Sequence, residues 1–397
     1  MVQDWLWELL SATGKLFWNP IFYYLFFLAA VLGVLRVKRE RRNFHVRVQD
    51  AYFELRQLFP LGVMLGLGAS VLIMAAGLVI PLGAVVLFAL FTFVWSLTGR
   101  VRLISPVYIG GAAFFTLIFA AGRTLPFPIF SDTFARLDEK IYPSIGILVA
   151  ILLVIEGILI LRNGSQATSP KLIKSKRGQS VGVHEVKRLW AVPMFLLIPG
   201  DAITLPLDWW PVFQIGGETY SLLLVPFAVG FHQQIQAQLP KEAVQMLGKR
   251  VITLGVLTLL LTFIGYWIPL ATIAVVALAM IGRESLTVRQ RLSEENMPFY
   301  FSKRNHGVMV LGILPHSPAE KMALQVGEII TKVNGTLVYN EKGFYEALQR
   351  NRAHCKLEVI DVNGQIRFVQ RALFEGEHHE LGVLFVMDEK KRGTEVV

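Results

Sequence analysis

The stretch that decides the fold of the C-terminal part is PHSPAEKMALQVGEIITKVNG, residues 315–335. Ser317 is a typical N-cap residue, and Glu320, three positions later, completes a capping box at the start of a helix. Gly327 ends this short helix, and the EIITKV segment that follows is typical of a strand. The Asn-Gly pair at 334–335 is the strongest short signal for a hairpin turn. The stretch therefore predicts a small soluble α+β unit.

The flanking segments extend this pattern. GVMVLGILP before the stretch alternates like a strand, and Asn340 after it can cap a second, longer helix, EKGFYEALQR. KLEVIDV, a second Asn-Gly pair at 363–364 and QIRFVQRAL predict another hairpin. This order closely resembles the bacterial PDZ domain of the permuted type, over residues 305–388. The pattern of that family stands here as Pro315, Ser317-Pro318-Ala319, Gly327-Glu328-Ile329-Ile330 and Asn334-Gly335.

The PDZ resemblance implies a peptide-binding groove. PDZ domains bind an extended peptide as an added strand, and a loop that often reads GLGF holds the terminal carboxylate through backbone N–H groups. YFSKRNHG before the first strand and ELGVLF, residues 380–385, compete for this loop, and the second matches better. The predicted groove residues are Leu381, Gly382, Val383, Leu384, Phe344 and Leu348. The alternative is that LGVLFV is only a closing core strand and that the two helix residues are core.

The rest of the chain has the composition of a membrane protein. Of 397 residues, 54% are hydrophobic and only 17% are charged. Residues 61–97 and 251–282 carry no charge, and a membrane span needs about 20 apolar residues. We therefore expect a polytopic α-helical membrane domain followed by a soluble α+β PDZ domain. The single cysteine, Cys355, excludes an internal disulfide and suits a reducing compartment.

Basic segments predict the topology. The segment RVKRERRNFHVR, residues 36–47, carries six Lys and Arg, which places it in the cytoplasm and the N-terminus outside. The net charge of +10 is then explained by cytoplasmic loops, and no nucleic-acid partner is needed. We expect about nine spans, one followed by four hairpins, with one hairpin within 189–231; seven is the alternative if one hairpin is re-entrant. The predicted boundaries are an external interfacial helix at 1–18, a transmembrane domain at 19–282, a basic juxtamembrane linker at 283–304, the PDZ domain at 305–388 in the cytoplasm, and a charged tail at 389–397.

Two acids in the apolar part are candidate transport residues. Glu156 lies inside an apolar run, where an acid is costly. It is either an ion or proton site or a structural acid paired with an arginine such as Arg162, and we favour the pair. LLIPGDAITLPL around Asp201 resembles either the broken helix of a transporter or an external turn. We favour the turn.

The stretch HEVKR, residues 184–188, is one residue short of the zinc-protease motif HExxH. Arg188 stands where the second histidine would be, and a cation cannot bind zinc. The chain has no G-x-S-x-G and no P-loop. We therefore predict no catalytic residues, no metal site and no cofactor.

A multi-span membrane region ending in a cytoplasmic PDZ domain resembles the MinJ family, which acts in division-site selection in Gram-positive rods. The resemblance implies a non-enzymatic adaptor that bridges the DivIVA scaffold to MinD of the MinC/MinD division inhibitor, contacts other division proteins, and is enriched at septum and poles of the cell membrane. Self-association into a homo-oligomer is compatible with this role. No motif carries partner-binding residues over to this chain. The alternatives are a transporter or channel with a regulatory PDZ domain, and a catalytically dead membrane protease that acts as a regulator.

Overall fold

The computed structural model describes residues 2–120, 139–203, 219–351, 353–374 and 381–386. The predicted charged tail at 389–397 lies outside these residues. So does the side chain of Asp201.

Apolar helices form most of the N-terminal domain. Five of them, within the described residues, are long and apolar enough to cross a membrane, and two more, Leu82–Leu97 and Pro106–Ala120, are apolar but shorter. The chain is thus a multi-pass membrane protein. The helices in chain order are α1 (Val2–Leu16), α2 (Pro20–Phe44), α3 (Phe53–Gln57), α4 (Pro60–Ala75), α5 (Leu82–Leu97), α6 (Pro106–Ala120), α7 (Tyr142–Leu159), α8 (Pro240–Thr262), α9 (Pro269–Asn296), α10 (Pro318–Lys321) and α11 (Glu341–Gln349).

Helix α7 lies at the centre of this helical domain, against α6, α8 and α9. Small residues bring it close to α8: a Cβ at Gly157 would lie 2.6 Å from the backbone nitrogen of Ile252. Gly255 of α8 faces the backbone of Val154 in α7 in the same way, and Gly248 faces the backbone of Leu161 just after α7. Backbones in membrane domains approach closely where such small residues line the contact.

The prediction of two membrane helices within residues 189–231 is wrong. The described parts of this segment lie in two long antiparallel strands, β2 (Ser180–Ile203) and β3 (Tyr220–Ile235). A third strand, β1 (Ser169–Lys174), pairs with the first part of β2. The predicted count of nine spans included this helical pair, and the number of spans itself stays a prediction.

Sequence pattern alone does not separate such strands from buried helices. Most side chains on both faces of β2 and β3 are buried, so the apolar runs show no alternation with period two. Pro193 lies directly opposite Pro226 in the ladder. A proline inside a helix removes a hydrogen bond and clashes with the preceding turn, so both residues disfavour the helical alternative.

Helix α4 covers the strand β2. Gly62 and Gly66, one helical turn apart, lie so close to it that a Cβ at either would clash with the carbonyl oxygen of Ala191 or Pro193. The absence of side chains at these two positions therefore lets the helix rest on the strand backbone.

Polar groups on the open edge of β2 find partners on the neighbouring segments. The N–H of Phe195 donates to the hydroxyl of Ser70 at 2.8 Å. The carbonyl of Leu197 accepts from the N–H of Ile80, also at 2.8 Å. A buried strand edge needs such partners because unpaired backbone groups are costly away from water.

Helix α1 packs against β3, where its Ala12 and Leu16 contact a cluster that includes Leu197 and Leu222. Its position at a bilayer interface stays a prediction.

The basic linker predicted at 283–304 is shorter than expected, because α9 continues to Asn296. The Glu294 carboxylate ties this end of α9 to the end of β3 by accepting the N–H groups of Gln236 and Ala237, both at 2.8 Å.

The C-terminal domain confirms the elements that the turn residues predict. Ser317 caps α10 by accepting the N–H of Glu320. Asn340 caps α11 through the N–H of Gly343 at 2.8 Å. Asn334 has φ +50° in the tight turn that joins Val333 to Thr336. The strands are β4 (Val308–Met309), β5 (Gly312–Ile313), β6 (Ile329–Val333), β7 (Thr336–Leu337), β8 (His354–Ile360), β9 (Ile366–Ala372) and β10 (Val383–Leu384). The main sheet has the order β4-β6-β8-β9 with β7 on β6, and β10 pairs with β5.

The PDZ domain rests on the basic end of the membrane domain. Phe44, after the basic part of α2, lies in one apolar cluster with Phe301, Met309, Leu311 and Leu384. We call this cluster the junction. The N–H of Gly182 in β2 also donates to the carbonyl of Phe301 at 2.8 Å.

Candidate peptide-binding site

Among the residues that the structure describes, β10 pairs with one strand only, β5. The N–H of Leu314 donates to the carbonyl of Gly382 and the N–H of Leu311 to that of Leu384, both at 2.8 Å. Backbone groups of successive residues in a strand point to opposite edges. The backbone N–H and C=O groups of Val383 and Phe385 therefore point away from β5. They lie on the edge to which an added peptide strand would bind.

Gly382 directly precedes this strand, in a conformation that only glycine adopts easily. Its φ is +82°, and a Cβ there would clash with the side chain of Ser317. The N–H of Ala319 donates to the carbonyl of Leu381 at 3.0 Å. The start of α10 thus fixes the path of the predicted carboxylate loop.

Four of the six predicted groove residues lie in the PDZ core: Leu381, Val383, Phe344 and Leu348 are all buried in one apolar cluster. The prediction brings together residues that do meet in space. Their side chains, however, are packed inside the domain, as the alternative of a closing core strand predicts. Peptide binding by these residues stays a prediction.

Phe385 and Ser317 were missed by the sequence reasoning. The ring of Phe385 lies edge-on to that of Phe344, with centroids 5.0 Å apart, and so joins β10 to α11. The sequence does contain a signal for Phe385: side chains alternate along a strand, so Val383 and Phe385 must share a face. Nothing in the local pattern pointed to Ser317 as the residue that packs on Gly382.

Leu384 is the predicted groove residue that lies elsewhere. It is 5% exposed, and its side chain packs in the junction with Leu311 and Phe301. Period-two alternation explains this, since its two neighbours point into the PDZ core. Leu384 therefore contacts the membrane-side surface rather than the groove.

The HEVKR stretch lies in β2 and not on a helix. Arg188 is buried, and its Nη1 donates to the Glu54 carboxylate at 2.7 Å. The carboxylate of Glu185 accepts from His232 at 3.1 Å. The hydrogen bond from His232 and the nearby Arg39 hold the pKa of the Glu185 carboxyl below its usual range, against the effect of burial. In the described part of the chain, no three His, Cys, Asp or Glu residues are grouped to hold a metal ion.

The side chain of His184, in β2, faces the PDZ domain. Its ring is 4.9 Å from that of Phe301, and its Nδ1 is 2.8 Å from the hydroxyl of Thr168. Complete burial lowers the pKa of His184 to about 4, so the ring is neutral at pH 7. Burial also raises the pKa of the Cys355 thiol to about 12, which keeps it protonated and unreactive.

Glu156 has a different partner from the one we predicted. Its carboxylate binds Arg283 of α9, with Nη2 and Oε1 2.8 Å apart, and accepts from Ser105 at 2.5 Å. Arg162 is not its partner. The prediction that an arginine pairs with this acid is confirmed, but it comes from a helix distant in sequence.

Comparisons with known proteins place the chain. A family model described as "PDZ domain" matches residues 309–361. The cell division topological determinant MinJ of Bacillus subtilis (strain 168) is 41% identical over 392 residues, with 98% of each chain covered. A probable MinJ of Lacticaseibacillus paracasei is 23% identical over 96% of this chain and 98% of its own. The mitochondrial serine protease HTRA2 of Drosophila ananassae matches only 17% of the chain, at 35% identity over 66 residues.

No solved structure matches the chain. The full-length likeness to the Bacillus subtilis protein covers the helices, the buried hairpin and the PDZ domain alike. The chain therefore belongs to the MinJ family of cell division topological determinants.

Proposed function

We propose that the protein is a non-enzymatic membrane adaptor that brings division-site regulators together at the cell membrane. Its PDZ domain takes a peptide segment of one partner as an added strand. The observation that carries this proposal is the edge of β10 that no described strand covers. It lies beside α11, where the rings of Phe385 and Phe344 meet, and Gly382 shapes the loop before it. Main-chain pairing at such an edge gives affinity, and nearby pockets give specificity.

The PDZ domain lies on the cytoplasmic side in this proposal. The basic end of α2, with Arg41 and Arg42 in its last turn, is on the same side as the junction. Lys and Arg accumulate on the cytoplasmic side of membrane proteins. A DivIVA-like scaffold and MinD, both expected from the family resemblance, would be met on that side at septum and poles.

A membrane-held adaptor needs only weak individual contacts. The spans confine the PDZ domain to two dimensions, which raises its effective concentration for partners on the same membrane. Several copies clustered on a scaffold would strengthen the assembly further. We expect the isolated PDZ domain to bind its peptide weakly.

The geometry around Glu156 gives little support to the alternative that the protein is a transporter. Its carboxylate is occupied by Arg283 and Ser105, an arrangement that supports a structural role. An acid that carries an ion or a proton needs access to a pathway.

The test is imaging of a fluorescent fusion of the full chain through a division cycle in its host. We expect accumulation at septum and poles that is lost when the DivIVA-like scaffold is deleted. A fusion that lacks residues 300–397 should remain in the membrane and fail to recruit MinD. Uniform fluorescence of the full chain, or normal MinD recruitment without the PDZ domain, would overturn the proposal.

A further inference from the structure

A cavity of about 260 Å³ lies where the basic end of α2 meets β2. Its walls come from segments far apart in sequence, including α2, α3, β1 and β2. It is separate from the edge of β10. The cationic residues that line it are Arg36, Arg39, Arg42, Lys187 and Arg188.

The carboxylates that line the cavity are shared among these cations. One oxygen of Glu54 accepts from both Arg36 at 2.8 Å and Arg188 at 2.7 Å. Glu185 likewise pairs with both Arg39 and Lys187. Each of these two carboxylates therefore pairs with two cations.

The remaining charges leave the cavity positive. Glu40, behind the wall, is 3.8 Å from the Nε of Arg36. Arg42 is exposed and has no ion pair within the described residues. Five cations thus face three carboxylates. The two excess charges are those of Arg42 and Lys187, which are exposed and partly exposed and can therefore pair with an anion that enters the cavity.

Three donors of the cluster lack an acceptor, and two of its guanidinium groups are held against an aromatic ring. The Nε atoms of Arg36, Arg39 and Arg188 are buried without a hydrogen-bond partner. The guanidinium carbons of Arg36 and Arg188 lie 5.0 and 4.9 Å from the centre of the Phe53 ring, a cation–π distance. Cations fixed in this way are pre-organised for an anion that brings several oxygen acceptors, such as a phosphate group.

Apolar residues on the same helix face point to an amphiphilic ligand. Leu32 and Leu35 line the cavity one turn before Arg36 and Arg39, because residues three and four apart share a helix face. Leu35 is 57% exposed on the membrane part of α2. The cavity therefore lies where an apolar surface changes into a cationic one. Phospholipid acyl chains and head groups meet at this same level of a bilayer.

We propose that this cavity binds a phosphate-bearing anion, and that the occupant is the head group of an anionic phospholipid whose acyl chains lie along the Leu32 and Leu35 face of α2. Free phosphate shares the head-group chemistry but gains nothing from the two leucines. Basic pockets beside transmembrane helices are known lipid head-group sites. The site gives the membrane domain a preference for membrane regions rich in anionic lipid.

The test uses the purified full chain in a mild detergent, with phosphatidylglycerol, phosphatidylcholine or inorganic phosphate as the added probe. Retained lipid is counted by native mass spectrometry, and affinity is read from the rise in unfolding temperature during titration. The variant R42Q/K187Q removes two cations from the cavity and leaves Arg36, Arg39 and Arg188 in place. The control K38Q/R41Q removes two exposed cations of α2 that do not line it.

We expect phosphatidylglycerol to bind and stabilise the wild type more than phosphatidylcholine does. R42Q/K187Q should weaken phosphatidylglycerol binding by about 30-fold, from roughly fivefold per cation. The control should keep the preference. Should R42Q/K187Q fail to fold, the single variant R42Q at an exposed position gives the same test with roughly a fivefold effect.

Three results would overturn the proposal. Equal stabilisation by both lipids would show that no anion is selected. Equal loss in R42Q/K187Q and K38Q/R41Q would show that diffuse surface charge, and not the cavity, attracts the lipid. Stabilisation by inorganic phosphate equal to that by phosphatidylglycerol would assign the cavity to a free anion and reject the lipid.

Discussion

Val383 and Leu384 are neighbours in β10, yet their side chains lie in different apolar clusters. Val383 packs in the PDZ core with Phe344, whereas Leu384 packs in the junction with Leu311. The strand whose open edge we propose as the peptide site therefore also holds the PDZ domain on the membrane domain. A peptide that shifts β10 would act on both contacts.

Leu384→Ala should loosen the junction and leave the PDZ domain folded. Deleting a buried leucine side chain costs about 2–5 kcal/mol, and at this position the loss falls on the contact between the domains. We expect faster proteolysis between Asn296 and Val308 in the full chain. Val383→Ala is the control, since it should lower the stability of the PDZ domain itself. Equal cleavage of the wild type and L384A would show that the junction does not depend on Leu384.

Gly382→Ala should abolish partner recruitment while the chain remains in the membrane. The new Cβ would clash with Ser317 and strain a backbone at φ +82°, so the loop before β10 must move. Gly335→Ala is a matched control, because Gly335 has the same φ of +82° but open space around it. The measurement is septal fluorescence of the two fusions at equal expression. Normal septal enrichment of G382A would argue against the β10 site.

The PDZ domain was predictable because its signals are local. Ser317 and Asn340 cap the helices that directly follow them, and Asn334-Gly335 sets its own turn. Such residues fix backbone conformation through contacts within a few positions. The composition of the apolar runs likewise predicted a multi-pass membrane protein.

The features that were missed depend on contacts between distant residues. The apolar parts of β2 and β3 are buried on both faces, so their hydrophobic period carries no information, and α4 can rest on β2 only because Gly62 and Gly66 lack side chains. Arg283, the partner of Glu156, is 127 positions away. The cation cavity likewise joins α2 to β2, which no local pattern reveals.

Acidification should destabilise the contact between β2 and the PDZ domain through His184. Its folded pKa is about 4, below the value of about 6.5 in an unfolded chain. The unfolded state therefore binds the extra proton, so stability is highest above pH 6.5 and falls as the pH drops towards 4, by up to about 3 kcal/mol.

The measurement for His184 is the unfolding temperature of the full chain between pH 7 and pH 4.5. His184→Phe should flatten the decline, because phenylalanine fills the site beside Phe301 and does not titrate. His306→Asn, which changes an exposed histidine, should leave the decline as in the wild type. An H184F profile as steep as that of the wild type would assign the pH dependence to other groups.

Glu156 and Arg283 should behave as a structural pair. Glu156→Gln leaves the buried Arg283 without its counter-charge, which costs about 3–5 kcal/mol. The double variant E156M/R283M replaces both charges with apolar side chains and should recover most of that loss. Unfolding temperature and MinD recruitment are the readouts. A well-folded double variant that no longer supports division-site selection would instead favour a role for this acid in transport.

The close contact between α4 and the hairpin should depend on Gly66. A Cβ there would clash with the carbonyl oxygen of Pro193, and such overpacking costs about 1–3 kcal/mol. Gly68 is the matched control on the same helix: it is exposed, with no atom near its missing Cβ. Gly68→Ala should be neutral or stabilising by up to about 1 kcal/mol, because alanine is the better helix former. The measurement is the unfolding temperature of each variant in detergent, which should be lower for G66A than for G68A. If G66A and G68A melt alike, β2 does not rest on α4, and the segment 189–231 would have to be reconsidered as a membrane-embedded helical pair.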